Sequence, residues 1–191
     1  DFAHLDFNHL DECWWHEGEK DYRGISVEPE EVLIERADRF VDYIKLEGIH
    51  STAIVSSKAE LGNNIHIGPY CIINENVKIG NNVNLKAHVY IDGNTTIGDN
   101  CTFFHYCSIG TSPQDLKYKG EKNSIVIGDN NKFREYTNVN PGTEQGGGIT
   151  KIGNNNLFMV YSHVAHDCII QNNVVLANNV QVGGHVTIEN N

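Results

Sequence analysis

Basic residues are scarce in this chain. Its 14 Lys+Arg stand against 25 Asp+Glu, for a formal net charge of -11. With no basic stripe, the nucleic-acid-binding classes are excluded. The acidity is uneven: residues 1 to 51 hold 14 acids and 5 Lys+Arg, while residues 52 to 191 hold 11 and 9, so the charge belongs to the leading segment. Long apolar runs are missing as well, and no window approaches the roughly 18 residues a membrane-spanning helix needs. The opening Asp1-Phe2-Ala3-His4-Leu5 has no initiator Met, no basic n-region and no apolar h-region. A secretory leader is therefore not expected, and a cytoplasmic location is the default. Cys-x-x-Cys pairs are absent, and five cysteines cannot all pair with one another.

What the sequence does have is a period. Leu61, Ile67, Ile73, Ile79, Leu85, Ile91, Ile97, Phe103 and Ile109 are large apolar residues at every sixth place. The series resumes at Ile127, Phe133 and Val139, and after a one-residue shift runs through Ile152, Phe158, Val164, Ile170, Leu176, Val182 and Ile188. Two places before most of these anchors is a small or β-branched residue, among them Cys71, Val77, Val83, Cys101, Cys107, Cys168 and Val174. Alternate residues of a strand share one face, so four of the five cysteines read as small core residues rather than ligands. Just beyond many anchors come Asn63-Asn64, Asn81-Asn82, Asp99-Asn100, Asp129-Asn130 and Asn154-Asn155. These residue types tolerate the left-handed conformation of a tight corner. Short strand, corner, short strand at a fixed period predicts a triangular coil of three hexads per turn, stacked at the strand spacing of about 4.8 Å. An antiparallel sandwich would need longer strands and variable turns. Handedness cannot be read from spacing.

Two stretches break the coil: residues 111–120, and Pro141-Gly142-Thr143-Glu144-Gln145-Gly146-Gly147-Gly148. Excursions from a rigid scaffold are where sites tend to be built. Ahead of the repeats, residues 28–47 read as one amphipathic helix, with Pro29 at its first turn and Gly48 past its end. It is expected to cap the first coil, whose edge would otherwise be open. His4, His9, Cys13 and His16 match no metal-site spacing.

The densest chemical constellation is Ser162-His163-Val164-Ala165-His166-Asp167-Cys168, with Gly183-Gly184-His185 one coil later. Val164 and Cys168 point inward by the repeat, so His163 should face out and His166-Asp167 should lie at a corner. His185 follows His166 by 19 residues and should lie about 5 Å along the axis. Histidine takes a proton near neutral pH, and a neighbouring carboxylate fixes its tautomer.

Here the sequence acquires a specific likeness. Gln114-Asp115-Leu116-Lys117-Tyr118, Asn140-Pro141-Gly142-Thr143 with Gly146-Gly147-Gly148, Asn156-Leu157-Phe158-Met159, His163 to Cys168, and Leu176-Ala177-Asn178-Asn179 occur in that order. Together they resemble the motifs of the UDP-N-acetylglucosamine 3-O-acyltransferase family, the hexapeptide-repeat enzymes that open lipid A synthesis. The resemblance implies a mainly β protein, a left-handed parallel β-helix over residues 49–191, truncated at its C-terminal end, behind an acidic extension (1–48) with one helix. It implies a homotrimer with sites between subunits, moving an (R)-3-hydroxyacyl group from acyl carrier protein to the sugar 3-hydroxyl. On that likeness His166 is the general base with Asp167 beside it, Gly184 offers its N–H to the oxyanion, and Asp115, Lys117, Asn140, His163 and His185 hold substrate. No metal or cofactor is implied. The family commonly has His-Arg where Asn140-Pro141 stand, and it continues beyond the length of this chain with further coils and a basic helical domain. Little transferase activity and weak trimerisation are expected of residues 1–191 alone.

Other readings of the same residues remain. Another hexapeptide acyltransferase would share the coil, although an N-acyltransferase of the same pathway needs a uridine-binding domain for which residues 1–51 are too short. A zinc hydratase of the β-helix type would need three histidines at a different spacing. A non-catalytic β-helix scaffold is the reading outside enzymes.

Overall fold

In a computed structural model of the chain, residues 48–190 are described. The expected helix over 28–47, the leading extension up to residue 47 and the histidines within it lie outside those residues. From Ile49 onward the chain winds as a left-handed parallel β-helix with three flat faces. The first face stacks Ile54–Val55, Ile72–Ile73, Tyr90–Ile91, Ser108–Ile109, Asn138–Val139, His163–Val164 and Gln181–Val182. The second runs from Glu60–Leu61 to Thr187–Ile188 in seven strands, and the third from His66–Ile67 to Val175–Leu176 in six. All pairings are parallel, and uninterrupted coils align residues 18 apart, as in Ile54 with Ile72 and Leu157 with Val175. Three hexads per turn is the arithmetic the period required.

The period works because most strands are only two residues wide, with the anchor inward. Ile67, Leu85, Ile91, Ile109, Val139 and Val164 are completely buried. Phe103, Phe133 and Phe158 stack inside one another at centroid separations of 4.6 and 4.5 Å. Four cysteines, Cys71, Cys101, Cys107 and Cys168, fill the other inward place and are free and buried. At one polar inward place, Asn131 is bonded to backbone: it donates to the Gly128 and Gly153 carbonyls and accepts from the Asn156 N–H. Buried polar groups need such partners.

Most corners are turned by a residue of positive φ. Between the second and third faces these are Asn64, Asn82, Asn100, Asn130, Asn155 and Asn173, with φ from 54 to 60°. Beside them a ladder runs along the axis: the N–H of Asn63, Asn81, Asp99, Asp129, Asn154 and Asn172 each donates to the side-chain oxygen one coil later. Between the third and first faces the same conformation falls to the ring-bearing Tyr70, His88, Tyr106, Tyr136 and Tyr161, and then to Asn179. Left-handed backbone is costly for bulky side chains. These five rings stack continuously at 4.7–5.0 Å, and the contacts offset that cost.

Candidate active site

The corner between the first and second faces is different. Asn76 and Gly93 turn it in the early coils. In the next two coils it is replaced by the two excursions, 110–123 and 140–148, and in the two after that it is occupied by Asp167 (φ 59°) and His185 (φ 63°). Both loops and the acid and histidine thus share one edge of the prism.

His166 precedes that turn, and its side chain is 15% exposed. Its Nδ1 lies 2.8 Å from Asp167 Oδ2. A carboxylate accepts only, so the neutral ring carries its proton on Nδ1 and leaves the Nε2 lone pair free. Although the sequence put His166-Asp167 outside the coil, the Asp167 side chain is only 1% exposed, because the second excursion folds over it. Its Oδ1 accepts the Thr143 N–H at 2.8 Å and its Oδ2 the Thr143 hydroxyl at 2.7 Å. Burial alone would raise the Asp167 carboxyl, but the hydrogen bonds from Thr143 and His166 outweigh it and hold the pKa below the ordinary value. The Asp167 N–H donates to Thr150 Oγ1. Sequence reasoning missed Thr143 as part of the site. The signal available was the glycine-rich break itself.

Gly184 lies against the imidazole. A Cβ there would fall 2.6 Å from His166 Cε1. His185 comes from the same coil, its ring meeting that of His166 edge-on at 5.1 Å and its Nε2 lying 3.9 Å from Asp167 Oδ2. His166, Asp167 and His185 offer ligand atoms within 4.8 Å of one another. Asp167 Oδ2, however, already receives two donors, which suits a hydrogen-bonded anchor better than a metal ligand.

The remaining candidates make other contacts. His163 projects from the first face into a shallow cleft of about 350 Å³ with Gln114, Tyr136, Asn138, Tyr161 and Gln181. Burial lowers its pKa, against a raising contact from the Asn138 backbone and with a further lowering from nearby His166. Asp115 and Lys117 belong to the first excursion, where Asp115 Oδ1 accepts the Lys117 N–H. Lys117 borders a second cleft with Glu144 and Gln145. Leu116, between them, is fully exposed. Asn140 is buried, and its amide donates to the Thr111 and Ser112 carbonyls, tying one excursion to the other.

A triangular prism of hexapeptide coils is the architecture expected of the bacterial hexapeptide transferases, whose six-repeat pattern matches residues 58–93 and 149–184. Within that class, the chain is similar to acyl-[acyl-carrier-protein]–UDP-N-acetylglucosamine O-acyltransferases over about three quarters of its length. A relative of that name from Aliarcobacter butzleri is 62% identical over 141 residues, 74% of this chain and 54% of the relative. One from Thermodesulfovibrio yellowstonii is 51% identical, covering 74% and 55%. The crystal structure of the UDP-N-acetylglucosamine acyltransferase from Bacteroides fragilis is similar at TM-score 0.73 and 41% identity, over 75% of this chain and 56% of that one. The Campylobacter jejuni enzyme gives 0.70 and 43%, over 73% and 54%. The chain spans about half the length of the curated relatives it matches. Among the described residues no helix is long and apolar enough to cross a membrane.

Proposed function

We propose that the protein acts in the transfer of an (R)-3-hydroxyacyl group from acyl carrier protein to the 3-hydroxyl of UDP-N-acetylglucosamine. The observation that carries this reading is the His166–Asp167 pair, with Nδ1 bonded at 2.8 Å and Nε2 left to meet a substrate. His166 Nε2 takes the proton of the sugar hydroxyl as its oxygen attacks the thioester carbonyl. A C–O bond forms, and the tetrahedral oxyanion is received by the Gly184 N–H. When the C–S bond breaks, His166 returns the proton to the departing thiolate. Asp167 keeps the tautomer and stabilises the imidazolium formed in between.

Asp115, Lys117, His163 and His185 contact substrate in this reading, and Asn140 contributes through the loop it braces. Lys117 borders a cleft with Glu144 and Gln145, and Leu116 beside it is fully exposed. Both facts support a homotrimer in which one subunit's first excursion completes a neighbour's site. The reading places this β-helix, residues 49–191, behind a separate extension, 1–48, in a cytoplasmic protein. Mass spectrometry of UDP-N-acetylglucosamine incubated with 3-hydroxyacyl-loaded acyl carrier protein and stoichiometric purified protein tests it, because even the low turnover expected of residues 1–191 then gives detectable product. An O-acylated sugar nucleotide is expected, and its absence at equimolar enzyme contradicts the reading.

A further inference from the structure

The loop over Asp167 is built around one residue. Thr143 sits in extended backbone (φ -118°, ψ 157°) just before the short 3-10 turn Glu144–Gly146, and it is 3% exposed. Its carbonyl accepts the N–H of Gly146 at 3.0 Å and of Gly148 at 2.7 Å, so the loop closes on it. Its own N–H and hydroxyl both donate to Asp167, one to each carboxylate oxygen. With the His166 Nδ1–H, three of the roughly four lone-pair directions of the carboxylate are filled. The fit leaves no slack: a Cβ at Gly146 would meet the Asp167 carboxylate carbon at 2.0 Å, and one at Gly142 its Oδ1 at 2.7 Å. From the other side Thr150 Oγ1, completely buried, receives the Asp167 N–H.

We propose that Thr143 is a positioning residue for the base: the glycine-rich excursion delivers its hydroxyl and amide to Asp167, and the carboxylate so fixed holds His166 in the tautomer with Nε2 bare. The catalytic consequence rests on the reading of His166 as the base, whereas the tautomer lock belongs to this chain alone. Every link, from Thr143 through Asp167 to His166, lies in one subunit, so the lock needs neither substrate nor a neighbour. A loop that only filled space would present apolar or solvent-facing groups to the corner. This one spends its single buried hydroxyl on the carboxylate. An imidazole whose orienting acid can turn is a base in the wrong tautomer for part of the time, and such misplacement costs rate rather than affinity.

The test pairs Thr143→Val, which removes the hydroxyl at nearly constant volume, with Thr143→Ser, which restores it. In histidine-labelled protein above the imidazole titration, the ¹⁵N shifts of His166 should show the Nδ1–H tautomer in wild type and Thr143→Ser, and a mixture in Thr143→Val. In the transfer assay Thr143→Val should lose about 10- to 100-fold in kcat, with KM within about twofold, and Thr143→Ser should stay within about threefold of wild type. A wild-type His166 protonated on Nε2 overturns the proposal even if no variant folds. So does a folded Thr143→Val protein with the pure Nδ1–H tautomer and unchanged kcat. Because the NMR arm needs no substrate, it decides the lock whether or not the protein transfers acyl groups.

Discussion

Gly184 and His166 occupy the same space to within a methyl group: a Cβ on the glycine would lie 2.6 Å from His166 Cε1 and 2.8 Å from Nε2. Gly184 is not among the positive-φ glycines, so its backbone would accept alanine without strain. The added methyl of Gly184→Ala therefore acts first on the imidazole, whose atoms are the nearest to it and have to shift. Transfer kcat is expected to drop about 100-fold, with a melting temperature within a few degrees of wild type. Wild-type kcat in the alanine variant would show that the ring position does not matter.

The core makes a different kind of claim. Phe133 is the middle of three stacked internal rings and has no exposed surface, so Phe133→Ala should cost about 3–5 kcal/mol in urea unfolding. Tyr106 is the middle of the external stack, contacting His88 and Tyr136, yet it is 48% exposed. Losing two ring contacts there should cost about 1–3 kcal/mol in Tyr106→Ala, while Tyr106→Phe should be close to neutral. A larger loss at Tyr106 than at Phe133 would place the stability outside the coil.

Burial pushes the Cys101 thiol from 9.0 up to about 11 and the Cys107 thiol up to about 12. The folded state therefore keeps these protons after the unfolded chain has lost them. Folding stability should be unaffected by these groups below about pH 9 and should fall as pH rises from there towards 11–12. Near neutral pH neither thiol should react with a disulfide reagent until the coil unfolds. Rapid native-state labelling of Cys107 would contradict its place inside the prism.

The six-residue period made the coil legible because it fixes which side chain faces inward at every place, whichever residues come next. The Asn corners were legible for the same reason, since Asn64, Asn82 and Asn100 have both the right spacing and the right backbone tolerance. Tyr70, Tyr106 and Tyr136 turn corners with the same φ, but aromatic residues are poor candidates for that conformation, and only the stacked neighbours one coil away make them suitable. His166, Asp167 and His185 could be placed together by counting coils. The Thr143–Asp167 contact could not, because it spans 24 residues through a loop whose path the repeat does not govern. His163 could be placed facing out from its strand, but not its cleft, which is lined by neighbouring coils and by Gln114 of the first excursion.

Every step of the proposed transfer turns on His166 as the group that moves the proton, so replacing that residue is the decisive experiment. Compare wild type with His166→Ala in transfer from 3-hydroxyacyl-loaded acyl carrier protein to UDP-N-acetylglucosamine, with melting curves of both. The side chain lies on an edge of the prism and contributes little to the core, so the variant should fold normally and lose about 10²–10⁴-fold in kcat, the usual range for a general base. Activity within about tenfold of wild type in a folded His166→Ala protein would contradict that role.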